Sequence, residues 1–85
     1  MPVIGRFFEI VIMMYAKEHG ILHIHASYQN YKAAFSVETS NMIVGDMPTK
    51  KRKLIEAWIE LHREDIIKNH ELMMQGKKVN VIEGF

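Results

Sequence analysis

ILHIHASYQNYKAAFSVE, residues 21–38, is the stretch that decides the fold class of this chain. Apolar or aromatic residues alternate with other residues over positions 21–28 and again over positions 31–38. Successive side chains of a β-strand point to opposite faces, so this alternation predicts two strands that each bury one face. The residues at 29–30 fit a two-residue turn. The stretch therefore predicts an antiparallel β-hairpin.

Histidines are concentrated in the first strand of this hairpin and just before it. Three of the five histidines, His19, His23 and His25, lie within seven residues. In the predicted strand His23 and His25 are two residues apart, so their side chains project from the same face of the sheet. Leu22 and Ile24 occupy the other face. We therefore expect the two histidines to lie on the polar side, away from the core.

Further strands are predicted on both sides of the hairpin. Residues 6–15 are almost wholly apolar, which predicts a single strand in the middle of a sheet, with a buried helix as the alternative. A turn at 39–41 and a short fourth strand at 42–45 follow the hairpin. Short turns between successive strands are typical of an antiparallel meander.

The pattern then changes to that of a helix. Over residues 49–76 the apolar positions recur every three or four residues, with Thr49 as the predicted N-cap and Gly76 as the stop. Two apolar residues fall outside the main stripe, so a bend or a division into two helices is expected around residues 62–65. Alternation over residues 78–82 predicts a last edge strand.

These elements predict an α+β domain that spans residues 1–85. A small antiparallel sheet, of about four meander strands over residues 6–46 and a C-terminal edge strand, would pack against one long or two short helices. Trp58 is the expected anchor of the core. His62 and His70 lie on or near the apolar stripe of the helix, which favours a core or interface position for both.

Composition narrows the class of protein. Cysteine is absent, which excludes disulfides and thiolate metal sites, and no apolar run approaches the roughly 20 residues that span a bilayer. The N-terminal residues lack the features of a signal peptide, so we expect a cytoplasmic protein. A net charge of +1 is not the strong basic bias of a dedicated nucleic-acid-binding protein.

The histidines suggest a metal site as one hypothesis. Imidazoles two residues apart on a strand can bind one ion, with His19 or a carboxylate such as Glu9 or Glu38 as the third ligand. Zinc is the divalent metal that we consider for this site. The competing interpretation is that His23 and His25 are partly exposed and only hydrogen-bonded.

Acid–base catalysis without a metal is a second hypothesis. The same histidines, with His19 nearby, could donate and accept protons, and Lys32 or Arg6 could stabilise a phosphorane. That combination would cleave RNA through its 2′-hydroxyl. Tyr28 or Tyr31 could stack on a base.

Positive charge is concentrated at the start of the helix. Lys50, Lys51, Arg52 and Lys53 are consecutive there, where positive charge opposes the helix dipole. A phosphate backbone or an acidic partner surface would compensate for that cost, with Tyr28 as a further contact. The alternative is a first helical turn whose charges are simply solvated.

In combination, these features resemble domain-of-unknown-function family 4160. The matching segments, which extend over nearly the whole chain, are Met14-Tyr15, the histidine segment from His19 to Ala26, Tyr31-Lys32-Ala33, Gly45-Asp46-Met47-Pro48, Trp58 and Leu61-His62. The chain departs from the family pattern at Ile21-Leu22, where two prolines are usual, at Ile24, where an aromatic residue is usual, and at His70, where a tryptophan is expected.

The resemblance implies a small prokaryotic protein that is often encoded beside another small domain of unknown function. That arrangement resembles a toxin–antitoxin pair, so a small cognate protein is the expected partner. Our leading hypothesis is an interaction protein that binds through an exposed strand edge or the helix. An RNA-cleaving enzyme, dependent on the histidines or on a metal, is the alternative. Exposed strand edges also allow a homodimer.

Overall fold

The structure, a computed structural model, describes residues 2–15 and 20–85. Within those residues five strands precede one helix: β1 (Val3–Phe7), β2 (Ile10–Met13), β3 (His23–Tyr28), β4 (Tyr31–Ser36), β5 (Met42–Gly45) and α1 (Thr49–Met74). The strands form one antiparallel sheet in chain order, β1-β2-β3-β4-β5. The predicted α+β class and antiparallel meander are confirmed.

The first apolar run forms two strands, so the prediction of one central strand over residues 6–15 is wrong. The chain reverses at Phe8 and Glu9, whose φ angles are 46° and 66°, and Phe7 pairs with Ile10. Two positive φ angles are typical of a type I′ turn, which normally requires asparagine or glycine. Tertiary contacts support the turn instead, because the Lys51 ammonium donates to the Phe8 carbonyl over 3.2 Å.

The central hairpin has the predicted form. Tyr28 pairs with Tyr31 across a turn at Gln29 and Asn30, in which Gln29 has the positive φ of 52°. The loop that follows β4 is attached to the helix, since Arg63 donates from Nε to the carbonyl of Val37 over 2.8 Å.

The helix covers one face of the sheet. Side chains from the four strands β1–β4 and from α1 form a continuous core in which the following are fully buried: Ile4, Ile10, Ile12, Ile24, Phe35, Ile55, Trp58, Ile59 and Ile66. Trp58 is the predicted anchor. Its ring stacks on Phe7 at 5.1 Å, and Gly5 lets it approach β1, where a Cβ would lie 2.5 Å from the indole.

The predicted bend within the helix and the predicted stop at its C-terminal end are both present. His62 has non-helical angles (φ −119°, ψ 19°), which is the expected bend. The helix ends where the amides of Gly76 and Lys77 donate to the carbonyls of Met73 and Leu72, a pattern typical of a glycine stop. The N-cap prediction is wrong by one residue, because Thr49 is already helical and Pro48 precedes it without a side-chain cap.

The predicted edge strand over residues 78–82 does not form. A single parallel bridge joins Ile82 to Gly5, with the Ile82 amide donating to the Ile4 carbonyl. Asn69 holds the segment instead: its buried amide donates to the Asn80 carbonyl and accepts from the Asn80 amide, both over 2.8 Å. One side chain therefore replaces the hydrogen-bond ladder that a strand would have made.

Replacement of Asn69 should release this segment. Asn69→Ala removes both hydrogen bonds and leaves a buried cavity, so we expect the free energy of unfolding to fall by about 2–3 kcal/mol. Hydrogen exchange at the Asn80 and Ile82 amides should accelerate. Asn80→Ala is the control, because it keeps the main-chain groups and should change stability by less than about 0.5 kcal/mol. Equal effects of the two substitutions would contradict this role of Asn69.

At Gly45 the main chain of β5 lies close against that of β4. Its φ is 103°, and a Cβ there would overlap the carbonyl oxygen of Lys32 and lie 2.6 Å from the Cα of Ala33. The next amide, that of Asp46, donates to the same Lys32 carbonyl over 3.0 Å. A side chain at position 45 is therefore incompatible with the pairing of β5.

We expect Gly45→Ala to lower the free energy of unfolding by more than about 3 kcal/mol in urea denaturation, since backbone strain and overlap add. Gly76→Ala is a matched control with a positive φ of 71° but open space around the position. Strain without overlap should cost about 1 kcal/mol there. Equal losses of unfolding free energy at the two positions would show that overlap between a side chain at position 45 and the main chain of β4 does not matter.

Candidate functional site

The candidate site lies on the sheet face that α1 does not cover, which we call the open face. Across this face Met13 pairs with His25, His25 with Ala34, and Ala34 with Val44. His23 lies one position further along β3, while Ile24 between the two histidines is fully buried beneath the helix. The prediction that both histidines project away from the helix is confirmed.

The two imidazoles are in direct contact. Their ring centroids are 5.1 Å apart with an interplanar angle of 67°. Tyr15 packs edge-on against His25 with a centroid distance of 4.7 Å. Tyr15, His25 and His23 therefore form a row of three rings, which we call the ring row.

A main-chain hydrogen bond orients His23. Its Nδ1 lies 2.7 Å from the carbonyl oxygen of Ile21. A carbonyl oxygen can only accept, so Nδ1 carries the proton of this bond. In the neutral imidazole the lone pair is then on Nε2, the nitrogen that can accept a proton or bind a metal.

Two cations share the open face with the histidines. Arg6 pairs with Val11, Val11 with Ser27, and Ser27 with Lys32, so these residues form one row across four strands. Directly paired residues lie on the same face of a sheet. The structure thus brings Lys32 and Arg6 to the same face as His23 and His25, as the catalytic hypothesis requires.

Two shallow depressions meet at this site. The larger has a volume of about 290 Å³, lies on the open face, and is lined by residues that include Tyr15, His25, Ser27, Lys32 and Val44. The smaller, of about 200 Å³, lies beside the end of α1 and is lined by Tyr15, Gly20, Ile21, Leu22, His23, His70 and Met74. The sequence did not identify Tyr15 as a site residue. Its spacing of two residues from Met13 and four from Val11 would have placed it on the same sheet face as those two.

The residues that the structure describes do not complete a metal site around the pair. Among residues 2–15 and 20–85 no group of three histidine, aspartate or glutamate side chains could hold an ion. Neither Glu9 nor Glu38 is therefore the third ligand. His19 lies outside the described residues, and a zinc site that includes it stays a prediction.

Part of the basic run is occupied by contacts within the chain. Lys51 lies 4.6 Å above the centroid of the Tyr28 ring, and Arg52 forms an ion pair with Glu56 over 3.0 Å. Lys50 and Lys53 are exposed.

Two other residues that the sequence singled out, Tyr28 and His62, do not lie beside the histidine pair. Tyr28 packs on the helix side, next to Lys51 and stacked on Tyr31 at 6.5 Å, so the structure does not bring it to the histidines. His62 contacts Trp58 at 5.3 Å, and its Nε2 lies 3.1 Å from the Phe85 main-chain oxygen, which agrees with the packing position predicted for it.

Within the described residues, no helix is both long enough and apolar enough to cross a membrane. No curated protein and no solved structure matches the chain. A protein family does match: the domain of unknown function DUF4160, over residues 10–71. The match covers most of the chain, from β2 to the last turns of α1, and includes the histidine segment, Gly45 and Trp58. The chain therefore belongs to the DUF4160 family.

Proposed function

We propose that the protein is one component of a small two-gene module of the toxin–antitoxin kind and binds its cognate partner protein through β5. One observation carries this proposal. β5 is one of the two outer strands of the sheet, and its residues Ile43 and Val44 are 49% and 64% exposed. An apolar outer strand is a surface that another strand can extend.

The two edges of the sheet differ in ways that favour β5. The outer side of β1 already contacts the C-terminal segment, residues 77–85, through the bridge at Ile82. Across the described part of the chain β5 pairs only with β4. β5 also lacks the lysine or proline that commonly protects an edge strand from association. Its main-chain groups and apolar side chains together provide both affinity and register for an added strand.

The helix is a weaker candidate for the partner surface. Its exposed apolar residues are Leu61, Ile67 and Met74. At 100° per residue Ile67 and Met74 lie within about 20° of each other, whereas Leu61 is about 140° away from Met74. These residues do not form a continuous stripe for a partner helix, which requires apolar positions at i, i+3, i+4 and i+7.

A lysine on β5 should weaken partner binding. Val44→Lys introduces a charge where the added strand would pack, so we expect the dissociation constant for the protein encoded by the neighbouring gene to rise about 30-fold, as at a typical hot spot. Co-purification and isothermal titration calorimetry provide the measurement. Leu61→Lys, at a site of equal exposure on the helix, is the control and should bind like the unmodified protein. A stable complex that tolerates Val44→Lys and fails with Leu61→Lys would reject β5 as the binding edge.

A second candidate function, cleavage of RNA, is favoured by the contact between His23 and His25 on the face that carries Lys32. One imidazole would remove the proton of a 2′-hydroxyl as its oxygen attacks phosphorus, and the other would protonate the departing 5′-oxygen. Lys32 would stabilise the charge on the phosphorane. The products would be a 2′,3′-cyclic phosphate and a 5′-hydroxyl, and no further reactant is consumed.

A growth assay tests this candidate. Expression of the protein without its neighbour should arrest growth, and His23→Ala combined with His25→Ala should abolish the arrest, because both imidazoles that would transfer the protons are removed. The double variant should still bind the partner at β5, which shows that it is folded. Undiminished growth arrest by a folded double variant would rule out histidine-dependent cleavage.

A further inference from the structure

We propose that the open face binds single-stranded nucleic acid, with the phosphodiester backbone along the row from Arg6 to Lys32 and the bases against the ring row. This site borders the partner edge at β5 and shares Val44 with it. It also assigns a substrate class to the histidines, and in that respect it rests on the second candidate function. Binding itself does not depend on cleavage.

The charge on the sheet is the first argument. Arg6 and Lys32 are the only charged residues in the five strands, and both project from the open face. Across residues 2–15 and 20–85 no carboxylate lies within ion-pair distance of either side chain. Their Cα atoms are three inter-strand spacings apart, about 14 Å. A chain of phosphates laid across the strands would meet both cations.

A polar side chain between the cations supports the same direction for the phosphate backbone. Ser27 lies in the row next to Lys32, and its hydroxyl can donate to a phosphate oxygen or bond to a ribose hydroxyl. Val11 separates Ser27 from Arg6. The row thus presents three donors on a face whose strand residues include no acceptor carboxylate.

The rings are the second argument. Tyr15, His25 and His23 are consecutive, with centroid distances of 4.7 and 5.1 Å. Tyrosine and histidine are side chains on which unpaired bases stack in sheet-surface recognition of nucleic acid. An acidic peptide would satisfy the cations but has no planar bases to stack on these rings, so the combination favours nucleic acid.

The shape of the face selects a single strand. The depression beside the rings is open to solvent, and the residues that line it include the apolar Met13, Ala34 and Val44. A duplex hides its bases and binds mainly through many phosphate contacts. Two cations and a row of rings instead suit exposed bases on an extended backbone.

Fluorescence anisotropy with a labelled 12-nucleotide RNA, a DNA of the same sequence and the corresponding duplex tests the proposal. Lys32→Ala and Arg6→Ala should each weaken single-strand binding and lower the slope of log K against log salt by about one. Tyr15→Ala should weaken binding roughly fivefold or more through lost stacking. Lys68→Ala removes the same charge from the exposed surface of α1 and should change affinity less than about twofold.

Several results would overturn the proposal. Dissociation constants above about 100 µM at 50 mM salt would mean no more than weak non-specific attraction. An effect of Lys68→Ala as large as that of Lys32→Ala, equal binding of the duplex, or full displacement by polyglutamate would also reject it. Tighter binding of RNA than of DNA supports an RNA substrate, and equal binding supports single strands in general. RNA that is bound but left intact would leave this site standing and reject only cleavage.

Discussion

The contact between Trp58 and β1 is the constraint on which the rest of the structure depends. The indole fits against Gly5, stacks on Phe7 and is fully buried, so it sets how closely α1 approaches the sheet. Its Nε1 has no hydrogen-bond partner among the described residues, a cost of about 1–3 kcal/mol that apolar burial must offset. Because this contact determines which face is covered, it also leaves the histidines on the other face.

Polar side chains of the helix provide hydrogen bonds to main-chain groups that the sheet does not pair. Lys51, Arg63 and Asn69 each hydrogen-bond to the main chain of an irregular segment, respectively the β1–β2 turn, the β4–β5 loop and the C-terminal segment. These segments have little regular hydrogen bonding of their own, and buried or partly buried peptide groups require partners. The helix therefore acts as a scaffold for the loops as well as a cover for the core. Its opposite side, remote from the sheet, remains largely charged and solvated.

The proposed functions use parts of the sheet that this arrangement leaves available. β5 is an outer strand, while the ring row and the two cations lie on the open face of β1–β4. Val44 is common to both regions, because it lies on β5 and also lines the depression on the open face. A partner strand on β5 would thus border the proposed nucleic-acid site.

The sequence by itself determined the α+β class, the central hairpin, the bend at His62 and the face on which His23 and His25 lie. Each follows from a local pattern: a period of two or of 3.6, a turn pair, or an interruption in a stripe. Only the tertiary structure decided the turn at Phe8 and Glu9, the bridge in place of a last strand, and the gathering of Arg6, Lys32 and Tyr15 with the histidines. Those features depend on strand register and on side chains distant in sequence, such as Lys51 and Asn69, which overrode local preference.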